Sequence, residues 1–209
     1  MEIDSIKKLL TERIARSLPG WEAHLKMSTH MHKNARLTPP RHTRRAAVLI
    51  LLFVQDNQLW MPLIQRPIYD GVHSGQMALP GGKHEPQDTD LIATALRETH
   101  EEIGVKVDRK FVLGELSKLY IPPSNITVSP ILAMIENQPS YLPDPLEVED
   151  ITEVSVNALQ APENYDVKDI KIYDGRVLEA PSFQIRGKTI WGATAMMLSE
   201  LLFLLNELD

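Results

Sequence analysis

Three glutamates, Glu98, Glu101 and Glu102, stand at helical spacing behind the glycine pair Gly81 and Gly82, with Arg97 beside them. In an α-helix, positions i, i+3 and i+4 fall on one face, so these carboxylates gather. Like charges that close repel, and a cation between the oxygens removes the penalty. Mg²⁺ or Mn²⁺ suits such a site, because both prefer carboxylate and water oxygens, and Mg²⁺ commonly bridges protein carboxylates to substrate phosphates. The acidic cluster taken alone also reads as the solvated face of an amphipathic helix. The glycines upstream favour chemistry, since a backbone without Cβ atoms can approach a ligand closely, and residues 80–82 are expected to form a turn.

The helix that must carry the glutamates is marked by Ile92, Leu96, Thr99 and Ile103, which recur at three- and four-residue steps, with Gly104 as its stop. Asp88, Thr89 or Asp90 can cap its start. Residues 46–54 form a continuous, branched apolar run, expected to be a strand buried on both faces, and residues 59–65 return beside it. Residues 77–80 predict a short strand or an extended lead into the glycine turn, and residues 111–120 and 126–135 two longer strands around Pro122, Pro123, Ser124 and Asn125. The segment 139–145 is a Pro-containing loop. Residues 151–156 predict a strand and 157–160 a short helix, with further strands at 171–173 and 182–190. Residues 3–18 predict a docking helix. Residues 191–208 predict a closing helix, apolar on most sides and so either buried or a subunit contact, which leaves a homodimer possible. Between 21 and 45 the periodicity fades; His24, His30, His32 and His42 there are too loosely spaced for a metal site and read as part of a basic lead-in with Arg36, Arg41, Arg44 and Arg45.

The chain has 209 residues, enough for one domain with a sizeable core: an N-terminal helical extension at 1–43, a core at 44–160, and C-terminal strands with the closing helix at 161–209. A net charge of −6 argues against a nucleic-acid or anionic-membrane surface. Without cysteine there is no disulfide, no Cys-ligated zinc or iron–sulfur cluster and no thiol nucleophile, which fits a cytoplasmic protein. No signal peptide or membrane span is expected.

Taken together, Gly82, Arg97, Glu98, Glu101, Glu102, Gly104 and Val105 resemble the Nudix box, whose tail is R-E-x-x-E-E-x-G followed by an apolar residue. Gly82 stands one place farther from Arg97 than usual, and Asp88 occupies the place next to the customary acidic position, where this chain has Thr89. The resemblance implies an α+β fold, an α/β/α sandwich around a mixed sheet, and hydrolysis of a small-molecule diphosphate with Mg²⁺ or Mn²⁺. Glu98 and Glu102 would hold the ions with Glu101 assisting. Arg97 would either meet a phosphate or clamp the box carboxylates, the second being the commoner family role. Gly81 and Gly82 would approach the ions or phosphates.

Arg66, His73, Gly75 and Gln76 ahead of the box, with Trp191, Gly192 and Thr194, are similar to the coenzyme A diphosphatase branch. That implies Arg66, His73 and Gln76 as substrate contacts, although each alone reads as an ordinary loop residue. Gly71 and Leu79 depart from the branch, which usually has arginine and phenylalanine there. Other substrates, such as ADP-ribose or a dinucleotide, or a Nudix-fold regulator without turnover, stay open. For the base that activates water, Glu147 resembles the glutamate of the branch's N-P-x-E-V stretch; Glu101 competes for the role, and residues 147–150 also read as a plain acidic loop.

Overall fold

The computed structural model describes residues 3–29 and 38–206. Its helices are α1 (Ile3–Arg16), α2 (Trp21–Leu25), α3 (Leu91–Ile103), α4 (Val156–Gln160) and α5 (Gly192–Asn206). The strands in order are β1 (Arg44–Gln55), β2 (Gln58–Gln65), β3 (Met77–Ala78), β4 (Gly81–Lys83), β5 (Val112–Glu115), β6 (Leu119–Ile121), β7 (Ile126–Met134), β8 (Asp150–Ser155), β9 (Tyr165–Lys171), β10 (Val177–Ile185) and β11 (Lys188–Trp191).

The unbroken apolar run of β1 has a physical reason: both of its faces are covered. Ala47, Leu49 and Leu51 pack with Ala95 and Ile103 of α3 in one core. Ala46, Ile50 and Leu52 face the other way, into a core that includes Leu10 of α1 and Leu198 and Leu201 of α5. Successive side chains of a strand point to opposite faces, so a strand covered on both sides is apolar at every position rather than at alternate ones. The result is the expected α+β arrangement, helices on both sides of a mixed sheet.

Strand β1 is also the hub of the pairing. It runs parallel to β7 from Arg44 opposite Ile126 to Leu52 opposite Met134. Its other edge is shared, antiparallel to β4 at Ala46, Ala47 and Val48 and to β2 at Phe53, Val54 and Gln55. Strand β2 in turn holds β3 and β8, and β7 holds β5 and β6. A second sheet, ordered β11-β10-β9, precedes α5. Helix α5 buries its apolar side chains inside the molecule, which answers the choice between burial and a subunit contact for those residues.

Several expectations change. Residues 81–83 are not a turn but strand β4, with Gly82 opposite Ala47. The strand expected over 111–120 is broken: a short 3-10 turn at Arg109–Phe111 precedes β5, and residues 116–118 separate β5 from β6. Strand β9 begins at Tyr165, well before residue 171, and its almost wholly exposed residues give it no burial alternation to announce it. The lead-in contains helix α2, whose His24 is buried against α5 with Nε2 3.1 Å from Glu200 Oε2. Glu200 also accepts from the N–H groups of Gly20 and Ser117, each at 3.1 Å. His24 is thus a core residue rather than part of a basic surface, whereas His30, His32 and Arg36 lie outside the described residues.

Candidate active site

Helix α3 is placed by its ends. Of the three possible caps Asp90 is used, its Oδ1 accepting from the Ala93 N–H at 2.8 Å, and Gly104 stops the helix at φ 73° with its N–H on the His100 carbonyl. Strand β4 runs past the helix closely enough for the Gly81 N–H to donate to Glu102 Oε2 at 2.7 Å. A Cβ at Gly82 would stand 2.4 Å from the Glu98 carboxyl carbon, and one at Gly81 2.3 Å from the Ala47 carbonyl oxygen. The two glycines therefore serve different neighbours, Gly81 the sheet and Gly82 the carboxylate.

Arg97 clamps the cluster from one side. Its Nε and one terminal nitrogen donate to both oxygens of Asp88, at 2.9 and 3.0 Å, and the other terminal nitrogen reaches Glu98 Oε1 at 3.0 Å and Glu101 Oε2 at 2.7 Å. It also donates to the Lys83 carbonyl at 3.1 Å, tying β4 to α3. Asp88 accepts in addition from the Thr94 hydroxyl and the Glu85 N–H. The Arg97 hydrogen bonds, against the opposing pull of burial, hold the Asp88 carboxyl well below the usual carboxylate range. An aspartate with both oxygens so engaged orients Arg97 and has little left for an ion.

Glu147 arrives from the loop after β7, which is pinned to the end of α3: the Leu142 N–H donates to the Ile103 carbonyl and the Asp144 N–H to the Glu102 carbonyl, both at 2.9 Å. The Glu147 and Val148 N–H groups turn back onto the Asp144 carbonyl, and Val148 is buried as an anchor. One carboxylate oxygen each of Glu98, Glu102 and Glu147 then lies within 4.8 Å of the others. Glu101 is not in this group; its half-exposed carboxylate is drawn onto Arg97. Burial raises Glu102 to about 7, against the Gly81 N–H and the charge of Arg66, and burial likewise raises Glu98 against Arg97. Converging carboxylates that resist carrying their charges, one of them seated where a Cβ on Gly82 would displace it, fit a divalent cation with oxygen ligands.

The cluster opens into a cavity of about 1570 Å³ whose lining includes Arg66, His73, Gln76, Gly81, Gly82, Glu98, Glu102 and Glu147. Arg97 and Glu101 are not among its lining residues. His73 Nδ1 lies 3.0 Å from Gln76 Oε1, and burial lowers its pKa below the ordinary histidine value against that hydrogen bond. Trp191, Gly192 and Thr194 line the same cavity, the Thr194 hydroxyl donating to the Met77 carbonyl at 3.1 Å. Sequence reasoning passed over Tyr69, Tyr173, Lys83 and Lys171, which also line it; lone tyrosines and lysines in loops and exposed strands carry no spacing signal.

A mixed sheet between helices, with a glycine strand laid against an R-E-x-x-E-E-x-G helix, defines a class of diphosphate-cleaving enzymes. The NUDIX domain model matches residues 43–174, and the chain belongs to the Nudix family. It is a Nudix diphosphatase, acting on a small-molecule substrate, in a family that generally uses divalent metal ions. The chain is 31% identical over 168 residues to the mitochondrial coenzyme A diphosphatase NUDT8 of Mus musculus, covering 78% of this chain and 80% of that protein. It is 30% identical over 167 residues to the uncharacterized Nudix hydrolase NudL of Photorhabdus laumondii, covering 78% and 88%. Among solved structures, a MutT/nudix family protein from Enterococcus faecalis superposes with TM-score 0.56 at 16% identity, over 99% of this chain and 75% of that one. The fold is also that of the C. elegans Ap4A hydrolase in its binary complex, with TM-score 0.52 at 16% identity over 78% of this chain and 98% of that one. Among the described residues no helix is long and apolar enough to cross a membrane.

Proposed function

We propose that this enzyme hydrolyses the diphosphate of coenzyme A to 4′-phosphopantetheine and adenosine 3′,5′-bisphosphate. The observation that carries the proposal is the common wall on which Arg66, His73 and Gln76 meet Gly81, Gly82, Glu98, Glu102 and Glu147. The similarity to a coenzyme A diphosphatase across four-fifths of that protein supports it.

Glu98 and Glu102 would hold Mg²⁺ or Mn²⁺, which on binding neutralises the diphosphate and lowers the pKa of water. Arg66, on the same wall, meets phosphate oxygens, and its charge already bears on Glu102. Gly82 leaves the room that the Glu98 carboxylate occupies, and Gly81 turns its N–H onto Glu102, so the two glycines keep the proposed ligands in place. Arg97 and Asp88 work behind the reacting atoms, holding Glu98 and Glu101 in place. Glu147 takes the proton from the attacking water: it is exposed while Glu102 is buried, and Glu101, the competing base, is committed to Arg97. The net charge of −6 and the lack of cysteine support a cytoplasmic enzyme without a nucleic-acid partner.

Purified protein with Mg²⁺ or Mn²⁺, offered coenzyme A, ADP-ribose and dinucleotides in parallel with products resolved by mass, tests the assignment. Coenzyme A should be the preferred substrate. Much faster turnover of ADP-ribose or a dinucleotide would move the substrate to another nucleoside diphosphate derivative, and turnover of none would favour a binding role.

A further inference from the structure

The loop 66–76 at the cavity closes on itself. The Arg66 N–H donates to the Gln76 carbonyl at 3.0 Å, the Gly75 N–H to the Pro67 carbonyl at 3.1 Å, and the Tyr69 N–H to Ser74 Oγ at 2.9 Å. Within that frame the Tyr69 hydroxyl donates to the Val72 carbonyl at 2.7 Å, which sets the tilt of the ring. Gly71 lies against the ring edge, where a Cβ would come within 3.2 Å of Tyr69 Cε2. An aromatic side chain is thus held in one orientation although 45% of the residue is exposed. Tyr69 lines the same cavity as Glu98, Glu102 and Glu147, and so does Tyr173, 57% exposed, from the turn between β9 and β10.

Charge selects what such a ring can receive. Between Pro67 and Gly75 the loop has no lysine or arginine; its titratable groups besides Tyr69 are Asp70 and His73, whose charged form burial disfavours. A phosphate would meet Asp70 there, whereas a neutral planar heterocycle meets an aromatic face. We infer that Tyr69 is a stacking platform for the nucleobase of the substrate's nucleotide half, with Gly71 leaving room for the ring. The inference rests on the diphosphatase assignment of this cavity and adds the contact that selects a base-bearing substrate.

Adenosine 5′-monophosphate and ribose 5-phosphate share sugar and phosphate and differ by the base, so their binding isolates the contact. The wild-type protein should bind adenosine 5′-monophosphate the more tightly; Tyr69→Ala should weaken that binding about tenfold, in the range of base–aromatic stacking, and leave ribose 5-phosphate unchanged. Tyr69→Phe keeps the ring but gives up the hydroxyl bond to Val72, and for the nucleotide should fall between wild type and Tyr69→Ala. Equal wild-type affinities, an equal loss for both ligands, no loss in Tyr69→Ala, or a Phe variant as weak as the Ala variant would each overturn the platform. The assays separate the two claims: a wild-type protein that leaves coenzyme A uncleaved but shows the expected nucleotide pattern loses the substrate assignment and keeps the platform.

Discussion

The Glu98 carboxylate lies so close over Gly82 that a Cβ on the glycine would stand 2.4 Å from both its Cδ and its Oε1. The carboxylate proposed to hold the metal and a strand backbone are thus packed without intervening atoms. Gly82→Ala must push Glu98 aside, and the expected result is a loss of activity of about a hundredfold, as for other displaced catalytic groups. Gly81→Ala strikes backbone instead, at φ +150° and 2.3 Å from the Ala47 carbonyl, and should cost about 3 kcal/mol of stability. Activity assays beside thermal melts separate the two; equal stability losses would contradict the division of labour.

Glu98→Gln and Glu102→Gln remove charge while keeping size, and in the second variant the new amide oxygen can still accept from the Gly81 N–H. Each should lower kcat by about a thousandfold with the fold retained, the scale expected when charge stabilisation at the reacting phosphate is lost. Near-wild-type rates in both at saturating Mg²⁺ would remove the two from the ligand set.

Asp88→Asn places an amide against the Arg97 guanidinium, where a carboxylate now accepts two hydrogen bonds. Stability should fall by about 2 kcal/mol and the rate by about tenfold, because the clamp loosens while the ligands remain. A loss as deep as in Glu98→Gln with no change in the melt would make Asp88 a ligand in its own right.

Much of this was legible in the sequence, for stated physical reasons. Buried periodic elements announced themselves: β1 by its apolar run, α3 by Ile92, Leu96, Thr99 and Ile103. The Nudix family and its sandwich followed from the box. What escaped depended on partners distant in the chain. Gly81–Lys83 is a strand only because Ala46, Ala47 and Val48 offer it an edge, and no residue type there favours a strand. Glu101 and Glu102 are equivalent by spacing, yet one meets Arg97 and the other is buried under Gly81. His24 in a featureless stretch is explained by Glu200, on the last helix.

Without divalent metal, the raised Glu102 makes stability depend on pH in a defined direction. Its folded pKa of about 7 exceeds the ordinary glutamate value of 4.5, so the folded state binds the extra proton between those values. The chelated protein should be most stable near pH 5 and lose about 3 kcal/mol as pH rises to about 8, at ~1.4 kcal/mol per pKa unit. Glu98, also raised, adds in the same direction. Mg²⁺ should reverse the trend, binding more tightly as pH rises. Melting curves in EDTA and in Mg²⁺ across this range check it; a metal-free protein that gains stability toward higher pH would contradict the burial of these charges.

Glu147→Gln distinguishes a base from a ligand. If Glu147 is the base, as proposed, kcat should fall about a hundredfold and the acidic limb of the pH–rate profile should vanish, while the Mg²⁺ requirement stays nearly the same. A variant that keeps its rate and profile passes the role to Glu101. One that loses Mg²⁺ affinity instead makes Glu147 a third ligand beside Glu98 and Glu102.

The most direct test of the central claim is the mass of the products formed from coenzyme A by the wild-type enzyme in Mg²⁺. The predicted result is 4′-phosphopantetheine and adenosine 3′,5′-bisphosphate in equal amounts, with formation abolished by EDTA. Intact coenzyme A under conditions where another nucleoside diphosphate derivative is cleaved would contradict it.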